Sequence, residues 1–492
     1  MKKLPLIFLF FSFSFCFSQN PDIKRTYHWY FGNGAALDFS SGTPVPITNS
    51  AMTAEEGSAS ISDTCGDLLF YTDGDTVWNR NNQAMPNGTG LMGCWSSTQS
   101  SLIVPQPGND SIYYIFLTDC GENLGANGLR YSTVNINLNG GSGDVVQKNV
   151  LLYAPSMEKL AATYHSNGTD IWILSCHRFP IGLPTYQYYA YLLKTAGVDT
   201  TPVISPSIAY KNKYEDGYLR FSHQGNKVAN AWHAGNCIYC DTLEILDFDN
   251  NTGFLSNSYT LMSDTAHLHY GVVFSPDDSK LYHSIFSELF YPDVHYKIFQ
   301  YDLSSNNPAI IAASKTLIQA SDSTNTLGTN YGALQNNSDG KIYVTKMGNI
   351  WMDTLDVITN PNAAGLACNY LVNGTYCGHL GFGLPNFVDS YFKGNWQPPC
   401  STGIEEDVAA ENNILIYPSP FSDYTTLRIS NFDELRITNA ELKIYDVLGH
   451  IVLQSAIKNP QSEIHRGNLN CGIYFLKIQI GNYNYIHKLI IF

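Results

Sequence analysis

VFSPDDSKLYHS, residues 273–284, enters on two apolar residues, turns through Pro276, Asp277, Asp278 and Ser279, and leaves on the alternating run Leu281, Tyr282, His283. Alternation with period two marks a half-buried strand, and a Pro/Asp/Ser cluster between two such runs marks a hairpin. The same word recurs as ISDTCGDLLFYT (61–72), IVPQPGNDSIYYIF (103–116), TYHSNGTDIWIL (163–174), RFSHQGNKVANAW (220–232) and LQNNSDGKIYVT (334–345). Each copy runs on into further strand-like segments, such as TLEILDF from Thr242 and YKIFQYDL from Tyr296. The residues just ahead of the six first strands are Glu56, Gln99, Glu158, Asp216, His269 and Asn330, a period of about 55 residues that leaves room for four strands and their loops.

A repeat carrying one small sheet cannot bury both faces alone, so the copies must stack, and closing the stack into a ring removes its exposed ends. The sequence therefore predicts an all-β chain whose larger part, residues 27–392, is a seven-bladed β-propeller. The seventh blade joins the two ends: GFGLPNFVDSYF (381–392) reads as two inner strands, and HWYFGNGAALDF (28–39) with PVPI (44–47) as the outer ones. Six blades with the ends packed elsewhere is the alternative. Composition agrees, with 39 Gly, 33 Tyr and 25 Phe against only 14% charged residues. With 27 basic and 42 acidic residues the net charge is −15, which excludes a sequence-independent binder of nucleic acid.

The words RFSHQGNKVA, VFSPDDSKLY and NSDGKIYV resemble the repeats of WD40-like and TolB-like propellers. WYFGNGAALDFSSGTPV, the run from EEGSASISD to LLFYTDGDTVWNRNNQAMPNGTG, and GFGLPNF resemble a propeller module of exported Bacteroidetes proteins. The resemblance implies a fold and no particular activity, since propellers host binding, scaffolding and catalysis alike.

Export is written at both ends. Lys2 and Lys3, an apolar run from Leu4 to Phe17, then Ser18 have the order of a signal peptide spanning residues 1–18. The run is shorter than the ~20 residues of a membrane span, so no transmembrane segment is expected in the mature chain. Cys16 offers a lipoprotein alternative that bulky Phe15 disfavours. WQPPCSTGIEEDVAAENN (396–413) reads as the end of a linker, residues 393–413. Residues 414–492 then alternate through short strands in the manner of an immunoglobulin-like β-sandwich.

In that tail YPSPF (417–421), LKIYDVLGH (442–450) and LNCGIYFLKI (469–478) resemble the type A C-terminal sorting domain of the type IX secretion system. Its pattern maps onto Tyr417, Pro418, Pro420, Phe421, Tyr445, Asp446, Gly449, Gly472, Ile473, Tyr474 and Lys477. Ser419 departs from the usual Asn, and Cys471 from a small or polar residue. The resemblance implies recognition by an outer-membrane translocon and removal by a sorting protease near the linker. The propeller is then secreted or attached to the cell surface. The competing reading is an accessory sandwich.

Chemistry in the propeller is harder to read. Glu56, Gln99, Glu158, Asp216, His269 and Asn330, with His379 from the closing blade, surround one mouth of the channel as a candidate ligand site for a glycan, a cation or a surface protein. Tyr218, Tyr270 and Tyr331 are their aromatic neighbours. The competing reading is that these groups satisfy one another and the strand-start amides. His267 and His269 form an H-x-H pair, as would suit zinc, with no third ligand at a fixed offset; His283 and His295 add none. The pairs Glu55/Glu56 and Asp277/Asp278 invite a glycosidase reading, but neighbours on a strand point to opposite faces and Asp is expected in a turn. Nucleophile elbow, zinc helix, phosphate loop and dinucleotide fingerprint are absent from the sequence. The expectation is a binding or adhesion module without cofactor, metal or catalytic residues; the alternative is a secreted hydrolase or lyase.

Ten cysteines follow Cys16, an even number that suits an exported chain. Cys237/Cys240 and Cys368/Cys377 close the shortest loops and are the expected disulfides; with His233, Cys237 and Cys240 would give only three metal ligands. D-T-aliphatic triplets at Asp75, Asp241 and Asp353, and D-S-I at Asp110, resemble a bacterial O-glycosylation sequon.

Overall fold

A computed structural model describes residues 21–178, 185–210, 216–232, 241–264, 268–286, 296–321, 330–348, 352–394, 397, 414–417, 421–429, 440–446, 449–457, 459, 461–480 and 483–491. The signal-peptide segment, His233, Cys237, Cys240, His267, His295, Pro418 and Pro420 lie outside the described residues. The chain divides into two compact units, Met1–Pro399 and Cys400–Phe492. Among the described residues no helix is long and apolar enough to cross a membrane.

The larger unit is a succession of seven small antiparallel sheets among its described residues. Their first strands are His28–Phe31, Ala59–Ser62, Ser101–Gln106, Ser156–Tyr164, Leu219–Phe221, Leu268–Phe274 and Asn330–Asn336. In six of the seven sheets the strands follow in chain order as a meander; the exception is the fourth, where Gly197–Val198 and Val203–Tyr210 both pair Thr185–Lys194. First strands are almost wholly buried, as Leu268–Phe274 is at every residue, because they are covered on both faces by neighbouring sheets. The apolar cores lie between sheets: Trp172, Phe221, Trp232 and Phe248 fill the space between the fourth and fifth.

Five of the six quoted hairpin words share one turn. The amide of its fourth residue bonds the carbonyl of its first, as in Gly225 N to Ser222 O (2.8 Å) and Gly340 N to Asn337 O (3.0 Å). The fourth residue is left-handed, and in four of the five it is Gly, at positions 66, 168, 225 and 340. Only Gly takes this backbone without a Cβ penalty. The fifth has Asp278 there, at φ +59°.

The ends of this unit meet through backbone bonds: Asn33 N to His379 O (3.0 Å), Ala36 N to Cys377 O (3.1 Å) and Asn386 N to Ser58 O (2.8 Å). The outer strands His28–Phe31, Ala35–Asp38 and Val45–Pro46 form as expected. The inner part does not form two strands. Residues 380–387 are irregular backbone followed by a 3-10 turn, Asp389–Phe392. The reason is close approach: a Cβ on Gly381 or Gly383 would collide with the carbonyls of Glu55 and Glu56.

The expected Cys368/Cys377 disulfide is absent; both thiols are buried and free. The strand Tyr370–Tyr376 stretches between them, and seven residues of strand extend about 23 Å, whereas a disulfide needs Cα atoms about 5.5 Å apart. Cys94 and Cys120 do pair, with Cα atoms 5.6 Å apart, and Cys65 is disulfide-bonded as well.

In the smaller unit the sheet of Ile414–Tyr417, Tyr424–Ile429 and Gln461–His465 shares one core with the sheet of Ala440–Tyr445, Ile451–Ile457, Gly472–Ile480 and Tyr483–Ile491. Phe421, Leu427, Ile444 and Leu476 are among its contributors.

Candidate functional site

Six of the seven sequence-selected residues fall at or just before the first strands of the second to seventh sheets, and His379 follows the strand Tyr370–Tyr376. Glu56 accepts a hydrogen bond from Tyr270 Oη at 3.0 Å. Glu158 is buried, its carboxylate taking three donors at 2.8 Å: Thr98 N, Thr98 Oγ1 and Gly121 N. Burial, and then the charge of Asp216, push Glu158 up to about 7. Burial, with Glu158 and Asp216 beside it, holds Glu56 well above the ordinary carboxyl range. Glu56, Glu158 and Asp216 are thus brought into one electrostatic neighbourhood.

They do not converge into a cage. Among the described residues one trio of Cys, His or carboxylate ligand atoms lies within 4.8 Å, that of Cys94, Cys120 and Glu122, and its two sulfurs are bonded to each other. Gln99 is spent on the fold: its Oε1 accepts from Leu160 N (3.2 Å) and Leu219 N (2.8 Å), and its Nε2 donates to Leu219 O (3.1 Å). This side chain stitches three successive sheets. His269 is buried with its ring centroid 4.6 Å from that of His283, and desolvation pushes His283 down to about 3. Asn330 is partly buried where the seventh sheet opens, and His379 is exposed at the closure, bridged to Asn33 and Gly34. Tyr218 and Tyr270 meet edge to face at 5.5 Å, and Tyr331 lies in the core between the sixth and seventh sheets.

Four residues that hold the interior lie outside the candidate site read from the sequence. Lys159, fully buried, donates to the carbonyls of Asp216 (3.0 Å), Gly217 (2.7 Å) and Ala231 (2.7 Å). Desolvation lowers its pKa to about 8. Arg220, also buried, reaches Asn386 Oδ1 (2.9 Å), Asp389 Oδ1 (3.5 Å) and Gln335 Oε1, tying the fifth and seventh sheets to the closing segment. Asp389 also accepts Phe221 N at 2.8 Å, and burial pushes it up to about 6 against the pull of Arg220. Asn386 Nδ2 donates to Leu160 O at 2.8 Å. Polar groups that sequence spacing places around an open channel are here committed to one another, which a buried polar group requires.

Beside this cluster opens a cavity of about 570 Å3, lined among others by Asn33, Thr53, Glu55, Trp95, Met352 and Leu380. Glu55 faces it while Glu56, the next residue, meets Tyr270, the alternation expected of extended backbone. Trp95 is 54% exposed, whereas Trp29 and Trp232 are fully buried. Lys346 contributes to the wall, but its ammonium is bonded to Asp356 and Asn373.

In the smaller unit the residues of the sorting pattern have clear local roles. Asp446 and Gly449 make the tight turn, with Gly449 N on Asp446 O (3.0 Å) and φ +84° at the glycine. Asp446 Oδ1 accepts His450 N at 2.9 Å. Phe421 is buried, and its amide bonds Ile490 O at 3.0 Å. Gly472 opens the strand that carries Ile473, Tyr474 and Lys477, while Tyr417 is exposed.

Residues 415–492 match the secretion system C-terminal sorting domain family. The chain carries the sorting domain of a type IX secretion cargo, which directs export to the medium or the cell surface. No curated protein sequence matches the chain. Among solved structures it is similar to PorZ, a surface component of the type IX secretion system of Porphyromonas gingivalis, at 10% identity and TM-score 0.34 over 95% of this chain and 59% of that one. A quinoprotein alcohol dehydrogenase-like protein of Bacteroides thetaiotaomicron shares 13% identity at TM-score 0.38, over 73% of this chain and 77% of that one. The periplasmic gluconolactonase of Pseudomonas aeruginosa shares 12% at TM-score 0.31, over 72% and 99%. Likenesses this low do not bear on activity.

Proposed function

We propose that residues 27–392 close into a seven-bladed propeller that acts outside the cell as a binding or adhesion module. Residues 414–492 form the immunoglobulin-like sorting domain, which a sorting protease cuts away within the linker, residues 393–413, after the translocon has recognised it. The seven sheets and the backbone bonds between residues 33–36 and 377–379 support seven blades rather than six.

Binding is favoured over bond-making by one observation above the others: Glu158, the most buried carboxylate of the mouth, has three donors fixed on it and serves the backbone. On this reading Gln99, Glu158 and His269 support the mouth. Glu56, Asp216, Asn330 and His379 edge the face that meets a glycan or a surface protein. Two experiments test the proposal. In a producing bacterium, deletion of residues 414–492 leaves the chain inside the envelope while the full chain is exported; equal export of both forms overturns the sorting role. Thermal shift of the purified chain against glycans, basic peptides and cations gives a specific rise in Tm for one class; a flat response to all overturns the binding role.

A further inference from the structure

We infer that the cavity beside Trp95 is a saccharide site for neutral pyranose rings; this rests on the binding-module reading and names its ligand class. The loop bearing the indole is pinned on all sides. Cys94, its neighbour, is bonded to Cys120; Ser97 N closes a turn onto Cys94 O (3.0 Å); Trp95 O accepts Glu56 N (3.3 Å); Ser96 Oγ donates to Glu122 Oε1 (2.8 Å). A large aromatic ring carried on a backbone already fixed gains contact area at reduced entropic cost when a ligand arrives.

The lining is amphipathic in the way a pyranose is. Met352 and Leu380 supply apolar surface, as the C–H faces of a sugar require. Thr53 Oγ1 donates to Asn33 Oδ1 at 3.3 Å, which leaves the Asn33 amide N–H groups to donate, and the exposed Glu55 carboxylate accepts from vicinal hydroxyls. Charge decides among sugars. Lys346 is neutralised by Asp356, so Glu55 is the uncompensated charge among the described residues of the lining, and the whole chain is at −15. Uronate, sialyl and sulfated residues are therefore repelled. A bare cationic side chain fits less well. A cation cage surrounds the charge with several ring faces, whereas among the described residues Trp95 is the one aromatic side chain lining this cavity, whose volume of about 570 Å3 suits one or two rings of a ligand.

The test titrates the purified full chain with neutral cello-, xylo-, manno-, malto- and chito-oligosaccharides, following tryptophan fluorescence and calorimetry, beside polygalacturonate and a polylysine peptide. One neutral series is expected to saturate, with affinity falling at least tenfold in Trp95→Ala, less in Trp95→Phe, and severalfold in Glu55→Gln. The Tm of each variant stays at the parent value because these side chains are exposed. Silence of every neutral series, preference for polygalacturonate, or undiminished binding by Trp95→Ala overturns the site. If the neutral series are silent while polylysine saturates, the saccharide assignment falls and the binding module stands; silence in every arm removes both.

Discussion

Asp278 Oδ1 lies 2.7 Å from His223 Nδ1, so the turn of one hairpin holds the turn of the preceding sheet. The same carboxylate accepts His223 N and Gln224 N, each at 2.9 Å. Asp278 stands where the four sister turns have Gly, and keeps a left-handed backbone that costs a side chain about 1 kcal/mol. Asp278→Gly restores the common turn, yet it is expected to destabilise the chain by about 2 kcal/mol, because two backbone amides and an imidazole lose their acceptor. Asp278→Asn, which tolerates the backbone and keeps one oxygen, is expected to cost less. Urea unfolding of the three forms checks the order; a stabilised Gly variant would show that the inter-sheet grip contributes nothing.

Lys159 offers a second case of a charge used as a backbone clamp. Its three N–H groups each meet a carbonyl, and the ring of Trp232 lies 5.0 Å away. Lys159→Met keeps the stem and leaves three buried carbonyls unsatisfied, for an expected loss of about 3 kcal/mol. Its lowered pKa has a definite sign: stability linked to Lys159 is present above the ordinary lysine value and is lost as pH falls through about 8. Thermal unfolding of the parent and Lys159→Met between pH 7 and 10 reads both effects, the variant showing the flatter profile.

Glu158 acts in the opposite sense. Glu158 is pushed up, so its contribution is complete below about 4.5 and is lost as pH rises through about 7. The chain is expected to lose stability steadily between pH 5 and 7. Glu158→Gln should flatten that slope while lowering stability at pH 5, since an amide cannot accept from Thr98 and Gly121 together. Denaturation midpoints at pH 5, 6 and 7 decide it; an unchanged slope would place the titration elsewhere.

Arg220 and Asp389 are a buried ion pair in which neither member stands comfortably alone. Arg220→Met strands the carboxylate and is expected to cost about 3–5 kcal/mol. Adding Asp389→Asn to Arg220→Met should return part of that loss, and the double-mutant cycle measures the coupling.

What the sequence makes legible here is what local chemistry decides. The hairpin words announce their strands because a left-handed turn wants Gly within two or three residues of an alternating run. The sorting pattern is equally local, its Asp446 to Gly449 turn closing on itself. Asp278 reads in sequence as an ordinary turn residue, since its partner His223 lies in a different sheet. Spacing brings Glu56, Glu158 and Asp216 to one neighbourhood, but nothing in it tells that Gln99 is consumed by Leu160 and Leu219. Trp95 carried only one hint, the cysteine beside it.

The seam between the first and last parts of the larger unit depends on two backbones passing at contact distance. Gly383 lies so near Glu56 that any Cβ must displace the Glu56 carbonyl, and Phe382 N bonds Glu55 O at 2.6 Å on the same stretch. Gly340 is the natural control: it is left-handed at φ +75°, and a Cβ placed on it would meet nothing within 4 Å. Gly340→Ala is expected to cost about 1 kcal/mol, the backbone term alone. Gly383→Ala must also separate the first and last parts of the unit, for a loss of more than about 2 kcal/mol and faster amide exchange at residues 54–58 and 377–387. Equal costs for the two glycines, with no local change in exchange, would mean that the ends are held by side-chain packing, with Trp29 against Phe387, rather than by the backbone seam.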